Sequence, residues 1–180
     1  MNVSPFVETP LDVVKKMLQL TSPKPDEILY DLGSGDGRIV ITAAKEFNLR
    51  SIGIEIREDL FKRAITEIKR LNLSDRIKVI NEDFFNVDIS DADIVTLYLT
   101  TSANEKLRPK LEKELKSGTR VVSHDYEIRG WVPSKIVKDD PIGHTIYFYI
   151  FDPVKTPVPQ GSITSSPSPT GIGHRLFPLF

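Results

Sequence analysis

The chain has 180 residues, 39% hydrophobic and 27% charged, with a formal net charge of −1, which suits one domain with a sizeable core. So balanced a charge supplies no global field for nucleic acid or anionic lipid, and the lack of cysteine excludes disulfide scaffolds and thiolate metal sites. No run reaches the roughly 18 apolar residues of a membrane-spanning helix, and residues 1–5 lack the pattern of a signal peptide, so a cytoplasmic protein is expected.

In chain order, an opening helix is predicted over 11–20, with Leu11, Val14 and Leu18 on one stripe and Pro10 at its first turn. A first strand over 28–32 feeds a helix over 37–47, and a second strand over 51–56 feeds a helix over 58–71. Strands three and four fall at 78–81 and 93–99. Ser102-Ala103-Asn104-Glu105 has the capping-box pattern and predicts a helix running to about 116. A fifth strand over 119–124 is followed by an antiparallel pair, 136–138 with 144–151, with no helix between. Alternation of this kind predicts an α/β fold: a mostly parallel, Rossmann-like seven-stranded sheet with helices on both faces and a terminal hairpin. The expected organisation is a covering helix segment at 1–26, a core at 27–151 and a tail at 152–180. That tail holds six of the thirteen prolines and few charges, so disorder is expected there.

The glycine loop after strand one carries the functional signal. Asp31-Leu32-Gly33-Ser34-Gly35-Asp36-Gly37-Arg38 places glycines at alternate positions, where the backbone can turn sharply and touch a ligand directly. A dinucleotide fingerprint requires G-x-G-x-x-G, but here the third glycine comes one residue early and Arg38 stands where the fingerprint needs Gly. Asp31, just before the loop, would repel a pyrophosphate and attract a cation. S-adenosylmethionine, with a cationic amino-acid end and no phosphate, fits this pattern. Glu55, 18 residues past Gly37 at the end of strand two, can accept both ribose hydroxyls, close to the spacing of about 20 expected for such a carboxylate. Asp83, after strand three, can accept from the adenine amino group, and Phe84 can pack on the ring. Ser34, Ile56 and Leu99 complete the expected cofactor contacts. The fold is thus expected to be of the class I methyltransferase type.

The sulfonium is already an activated electrophile, so neither metal nor nucleophile is required. With three histidines and no cysteine, no metal-ligand spacing appears in the sequence. If the acceptor is a lysine amine, neutralising it at pH 7 costs roughly 4–5 kcal/mol. A narrow apolar and aromatic channel lowers that cost by desolvation and by repulsion from the sulfonium. Tyr98 and Thr100 at the end of strand four, with Tyr126 and Trp131 after strand five, have this character. Trp131 has an equal claim to be ordinary packing, and His124 is either a proton acceptor or a satisfied histidine at a strand end. Thr9 and Pro10 either fold over the cofactor or only start a helix. The end of strand four lacks the Asp/Asn-Pro-Pro-aromatic motif usual in enzymes that methylate base amino groups. Lys62, Arg63, Lys69 and Arg70 either form a phosphate-binding face or solvate a helix exterior.

Four separated segments carry a closer resemblance. Residues 7–18, beginning Val7-Glu8-Thr9-Pro10, residues 30–38, residues 104–115 followed by 118–124, and Glu127-Ile128-Arg129-Gly130-Trp131 resemble the archaeal seven-β-strand protein lysine methyltransferases. They are also similar to eukaryotic mitochondrial lysine methyltransferases acting on membrane carriers and ATP synthase subunits. The resemblance spans residues 7–151. It implies transfer of methyl from S-adenosylmethionine to lysine ε-amines, broad protein specificity and often self-methylation. Exposed lysines of proteins, including the enzyme itself, are then the expected partners, and a monomer is favoured. RNA or small-molecule methylation, and a non-catalytic cofactor-binding module, stand as alternatives. Where the family commonly has Tyr-Val-Pro-Thr-Pro, this chain has Phe6-Val7-Glu8-Thr9-Pro10, so any bond made by the tyrosine hydroxyl is absent.

Overall fold

Apolar runs of four or five residues, too short for helices but buried on both faces, pair as a parallel sheet. The computed structural model describes residues 6–139 and 143–155. Its strands are β1 (Ile28–Leu32), β2 (Arg50–Ile54), β3 (Ile77–Ile80), β4 (Ile94–Leu97), β5 (Arg120–His124), β6 (Lys135–Asp139) and β7 (His144–Ile150). They lie in the order β3-β2-β1-β4-β5-β7-β6. The first five are parallel. β7 then runs antiparallel to both β5 and β6, as expected for a hairpin joined without a crossover helix.

The helices are α1 (Leu11–Leu20), α2 (Arg38–Phe47), α3 (Glu58–Arg70) and α4 (Thr101–Glu114). Val14, Leu18, Val40, Ala43, Ala64 and Ile68 from α1, α2 and α3 pack on one face of the sheet. Leu107 and Leu111 of α4 pack on the other, with Leu97, Tyr149 and Phe151. At roughly 1.5–3 kcal/mol for each large apolar side chain fully buried, these two layers supply the main drive for folding. α1 buries Val13, Val14, Met17 and Leu18, whereas Leu11 is exposed; the apolar stripe begins two residues later than expected.

Strand ends differ from the sequence expectation for a physical reason. β2 stops at Ile54 because Glu55 and Ile56 leave the ladder, their carbonyls accepting from the Asn81 side chain at 2.9 and 3.2 Å. β4 stops at Leu97, and Tyr98-Leu99-Thr100 bends away as a wall. The α4 cap is Thr100, whose hydroxyl accepts from the Ala103 N–H at 3.3 Å; Ser102 lies inside the helix. Glu105 has turned outward to Arg129 at 3.1 Å, so the capping box does not form. A short 3₁₀ turn, Phe84–Asn86, was not foreseen. Most of the 152–180 segment lies outside the described residues.

β1 runs between β2 and β4, so successive crossovers leave it in opposite directions. Ligands of open parallel sheets bind beyond the carboxyl ends of the strands at such a point.

Candidate active site

The switch point opens into a cavity of about 480 Å³, within the range of small-molecule sites. Its floor is the loop after β1. Gly33 and Ser34 both donate their N–H groups to the Ile54 carbonyl at 2.9 Å, which fastens the loop to β2. Gly37 caps α2 at φ 86°, and a Cβ there would lie 3.0 Å from that of Ala64, so α2 and α3 approach closely only because this residue has no side chain.

Two carboxylates dominate the cavity. Asp31 is 2% exposed and accepts from the Thr96 hydroxyl at 2.8 Å. Burial pushes its carboxyl up to about 7, with the nearby Glu55 and Asp36 charges adding to the rise and the Thr96 bond opposing it. A buried carboxylate surrounded by negative charge is a place for a cation. Glu55 is also buried. Its Oε2 accepts from the Gly35 N–H at 2.7 Å and its Oε1 from the Arg57 N–H at 2.9 Å, so both oxygens are held in place and retain lone pairs for a diol.

Asp83 accepts from the Phe85 N–H at 3.0 Å and starts the 3₁₀ turn. That turn sets Phe84 and Phe85 along the same wall, near Ile56. Asp31, Gly33, Ser34, Glu55, Ile56, Asp83, Phe84 and Leu99 therefore all reach the cavity. Gly35 and Gly37 do not line it; they shape the loop. Arg38 does line it, but its guanidinium is engaged with Asp36 at 2.7 Å, Glu8 at 2.9 Å and the Thr9 carbonyl at 3.0 Å. It anchors the segment before α1, and so Thr9 and the Phe6 ring join the cavity wall.

The opposite wall of the cavity is built from the end of β4. Tyr98 and Thr100 line the cavity with Ser102 and Lys106. The Tyr98 ring lies 4.0 Å, centroid to centroid, from His124 and 6.3 Å from Tyr126. Burial first, then the Asp125 and Tyr126 charges, raise the Tyr98 hydroxyl above its ordinary value; it stays protonated at neutral pH. Tyr126 stands behind Tyr98, and its segment is tied to α4 by the Asn104 amide, which donates to the Tyr126 and Glu127 carbonyls at 3.2 Å.

Trp131 is elsewhere. It packs on Tyr149 and Phe151 at 5.7 and 5.3 Å, and its indole N–H donates to Glu112 at 3.0 Å. The packing reading describes it. Of the four basic side chains of α3, Lys62 pairs with Glu58 at 2.6 Å and Arg70 with Glu67 at 2.6 Å. Both border a second groove that carries six basic and four acidic side chains, charges of both signs intermixed.

Sequence reasoning missed Thr96 and the gathering of His124, Asp125 and His144. Thr96 stands opposite Asp31 in the β1–β4 pairing, and a lone hydroxyl inside Ile94-Val95-Thr96-Leu97 was the available signal. His124 Nε2 lies 2.9 Å from His144 Nδ1, and His144 Nδ1 lies 3.1 Å from Asp125 Oδ2. His144 arrives from the neighbouring antiparallel strand, 20 residues on, so no local spacing shows the group.

The ANTKMT methyltransferase domain matches residues 31–135. A protein-lysine N-methyltransferase of Saccharolobus islandicus (strain REY15A) is 49% identical over 149 residues, 81% of this chain and 92% of that protein. The adenine nucleotide translocase lysine N-methyltransferase of Mus musculus is 34% identical over 134 residues, 74% of this chain but only 58% of its own length. Among solved structures, an RNA methyltransferase from Salinibacter ruber in complex with S-adenosyl-L-homocysteine is 46% identical, with a TM-score of 0.77 covering 80% of this chain and 93% of that one. Fold, cleft and sequence agree: this chain belongs to the ANTKMT methyltransferase domain family.

Proposed function

We propose that this protein is an S-adenosylmethionine-dependent methyltransferase acting on lysine ε-amines of proteins. The observation that carries the cofactor is Asp31, a carboxylate buried beside two others with a pKa raised to about 7, at the foot of a glycine loop. Asp31 would hold the α-ammonium, Glu55 the ribose hydroxyls, and Asp83 with Phe84 the adenine. The residues fit the group: Gly33 lines the cavity with backbone alone, and a Cβ there would press to 3.3 Å of Leu99.

The bound cofactor supplies an activated methyl group on sulfur. The protein's own task is to present an amine lone pair in line with it and to exclude water. A lysine entering past Tyr98 and Thr100 leaves water for an aromatic and hydroxyl-lined wall, which favours the neutral amine. The Tyr98 hydroxyl, protonated throughout, orients the nitrogen rather than removing its proton. The relative from Saccharolobus islandicus, named for lysine methylation, supports the acceptor. The name of the Salinibacter ruber structure favours RNA as a second reading, against which stand the ion pairs of Lys62 and Arg70 on α3 and a sequence after β4 without a proline-aromatic clamp. Broad specificity, self-methylation, a monomeric state and a cytoplasmic setting belong to the same proposal.

Transfer of radiolabelled methyl from S-adenosylmethionine into a host lysate tests it. Protease-sensitive label recovered as methyl-lysine, with one band at the enzyme's own mass, is expected. Label lost only to RNase moves the assignment to RNA.

A further inference from the structure

Beside the cofactor cleft, β5 ends in His124 and β7 begins with His144. The three atoms His124 Nε2, His144 Nδ1 and Asp125 Oδ2 form a triangle with sides of 2.9, 3.1 and 3.3 Å. Metal–ligand bonds of about 2.1 Å place neighbouring ligand atoms roughly 3.0 Å apart in octahedral geometry and roughly 3.4 Å apart in tetrahedral geometry. The observed sides cluster around the octahedral value and stay below the tetrahedral one. We propose that His124, Asp125 and His144 form a binding site for a divalent transition-metal ion of the Zn²⁺ class.

Two imidazoles and one carboxylate are the donors such ions select over Ca²⁺ or Mg²⁺, which take oxygen. The atoms behind the donors are also in place. His124 Nδ1 lies 3.2 Å from the Thr9 hydroxyl, the kind of contact that fixes a ligating imidazole's tautomer and orientation. Asp125 Oδ1 accepts from the Thr145 N–H at 2.8 Å, which aims Oδ2 at the histidines. His124 is fully buried, so its ring is held in one orientation by its surroundings.

Asp125 also adopts φ 60°, a conformation that costs a non-glycine residue free energy and recurs at functional sites. It is what turns the carboxylate back toward the preceding histidine. The Asp125 carboxylate also accepts a hydrogen bond from the Tyr98 hydroxyl and lies within 3.1 Å of His144 Nδ1, so the three groups are already held together. An ion gives all three lone pairs a common partner. His144 and Asp125 keep 20% and 25% of their side-chain surface exposed, which leaves an entry path and room for water at the remaining coordination positions. The ion would tie β5 to β7 behind Tyr98, whose hydroxyl hydrogen-bonds to Asp125, and, through His124, brace Thr9.

The test uses the full chain, stripped with EDTA and desalted, titrated with Zn²⁺ by calorimetry and with Co²⁺ by visible absorption. One ion per chain is expected, with Kd on the order of 1 μM or tighter, a visible Co²⁺ band, and a higher Tm with Zn²⁺. His144→Ala and Asp125→Asn should each weaken binding at least about tenfold and abolish the Tm rise, while His174→Ala, at the third histidine of the chain, leaves both unchanged. Circular dichroism and cofactor affinity of His144→Ala check that the variant is folded, and Asp125→Asn gives an independent loss at nearly constant shape. Absence of binding by the wild-type chain, equal affinity in both site variants, or loss in His174→Ala instead would overturn the site.

Discussion

The Phe6 ring lies directly over Gly35: a Cβ built on that glycine would sit 2.3 Å from Phe6 Cε2. The segment before α1 is thus seated on the glycine loop after β1, proposed above to receive the cofactor, and it can be there only because residue 35 has no side chain. Gly35→Ala adds this collision to the strain of a side chain at φ 55° and should weaken S-adenosylmethionine binding at least about tenfold. Phe6→Ala in the same chain removes the collision but not the strain, so calorimetry should show partial recovery. Affinity unchanged by Gly35→Ala would mean that loop and cover do not meet as described.

Asp31 makes cofactor affinity depend on pH. Its carboxyl is raised to about 7 in the free protein and must be ionised to face a cation. Affinity should therefore fall below pH 7, approaching tenfold per pH unit, and level off above it. Asp31→Asn should bind weakly at every pH. For the ligand-free fold the sign is opposite. A folded pKa above the unfolded value near 3.8 means the group's contribution is fully present below about pH 4 and is lost as pH rises through about 7. Ligand-free Asp31→Asn should then melt higher than wild type at pH 8, and by less at pH 5. A flat affinity profile between pH 5.5 and 8 would remove the cation-binding role.

Tyr98→Phe keeps the ring against His124 and deletes the hydroxyl. If that hydroxyl orients the amine, kcat should drop on the order of 10- to 100-fold with cofactor affinity unchanged. A drop in affinity with normal kcat would place the hydroxyl's role with the cofactor.

Trp131→Phe separates packing from catalysis. The lost indole bond to Glu112 and the reduced volume should cost about 1–2 kcal/mol in denaturant unfolding, with kcat within about twofold of wild type. A large fall in kcat at normal stability would return Trp131 to the acceptor channel.

The sequence carried most of the scaffold because each element satisfies its own local rule. β1 and α1 fall where the apolar runs and Pro10 place them, and Asp31 and Glu55 both reach the cavity because strand ends in a parallel sheet converge on one edge. What stayed hidden depends on neighbours distant in the chain. Thr100 caps α4 although Ser102-Ala103-Asn104-Glu105 has the better local pattern, since the chain must leave β4 early to form the wall. Trp131 and Tyr126 lie five residues apart, yet one turns under α4 and the other stands behind Tyr98. The meeting of His124 with His144 exists only in the β5–β7 register.

Thr9 is fastened at two points across the cleft, its carbonyl to Arg38 on the α2 side and its hydroxyl to His124 at the end of β5. The chain ahead of Thr9, at Phe6, Val7 and Glu8, is held by neither of these bonds and forms a flap beside the cavity, which Phe6 and Val7 line. The polar latch on that flap is the Glu8–Arg38 pair, whose Glu8 side chain is 56% exposed and so is screened by dissolved ions. Ionic strength should then tune how long the spent cofactor resides: added salt is expected to loosen the flap and shorten residence while leaving the two buried carboxylates beneath it, Asp31 and Glu55, unscreened.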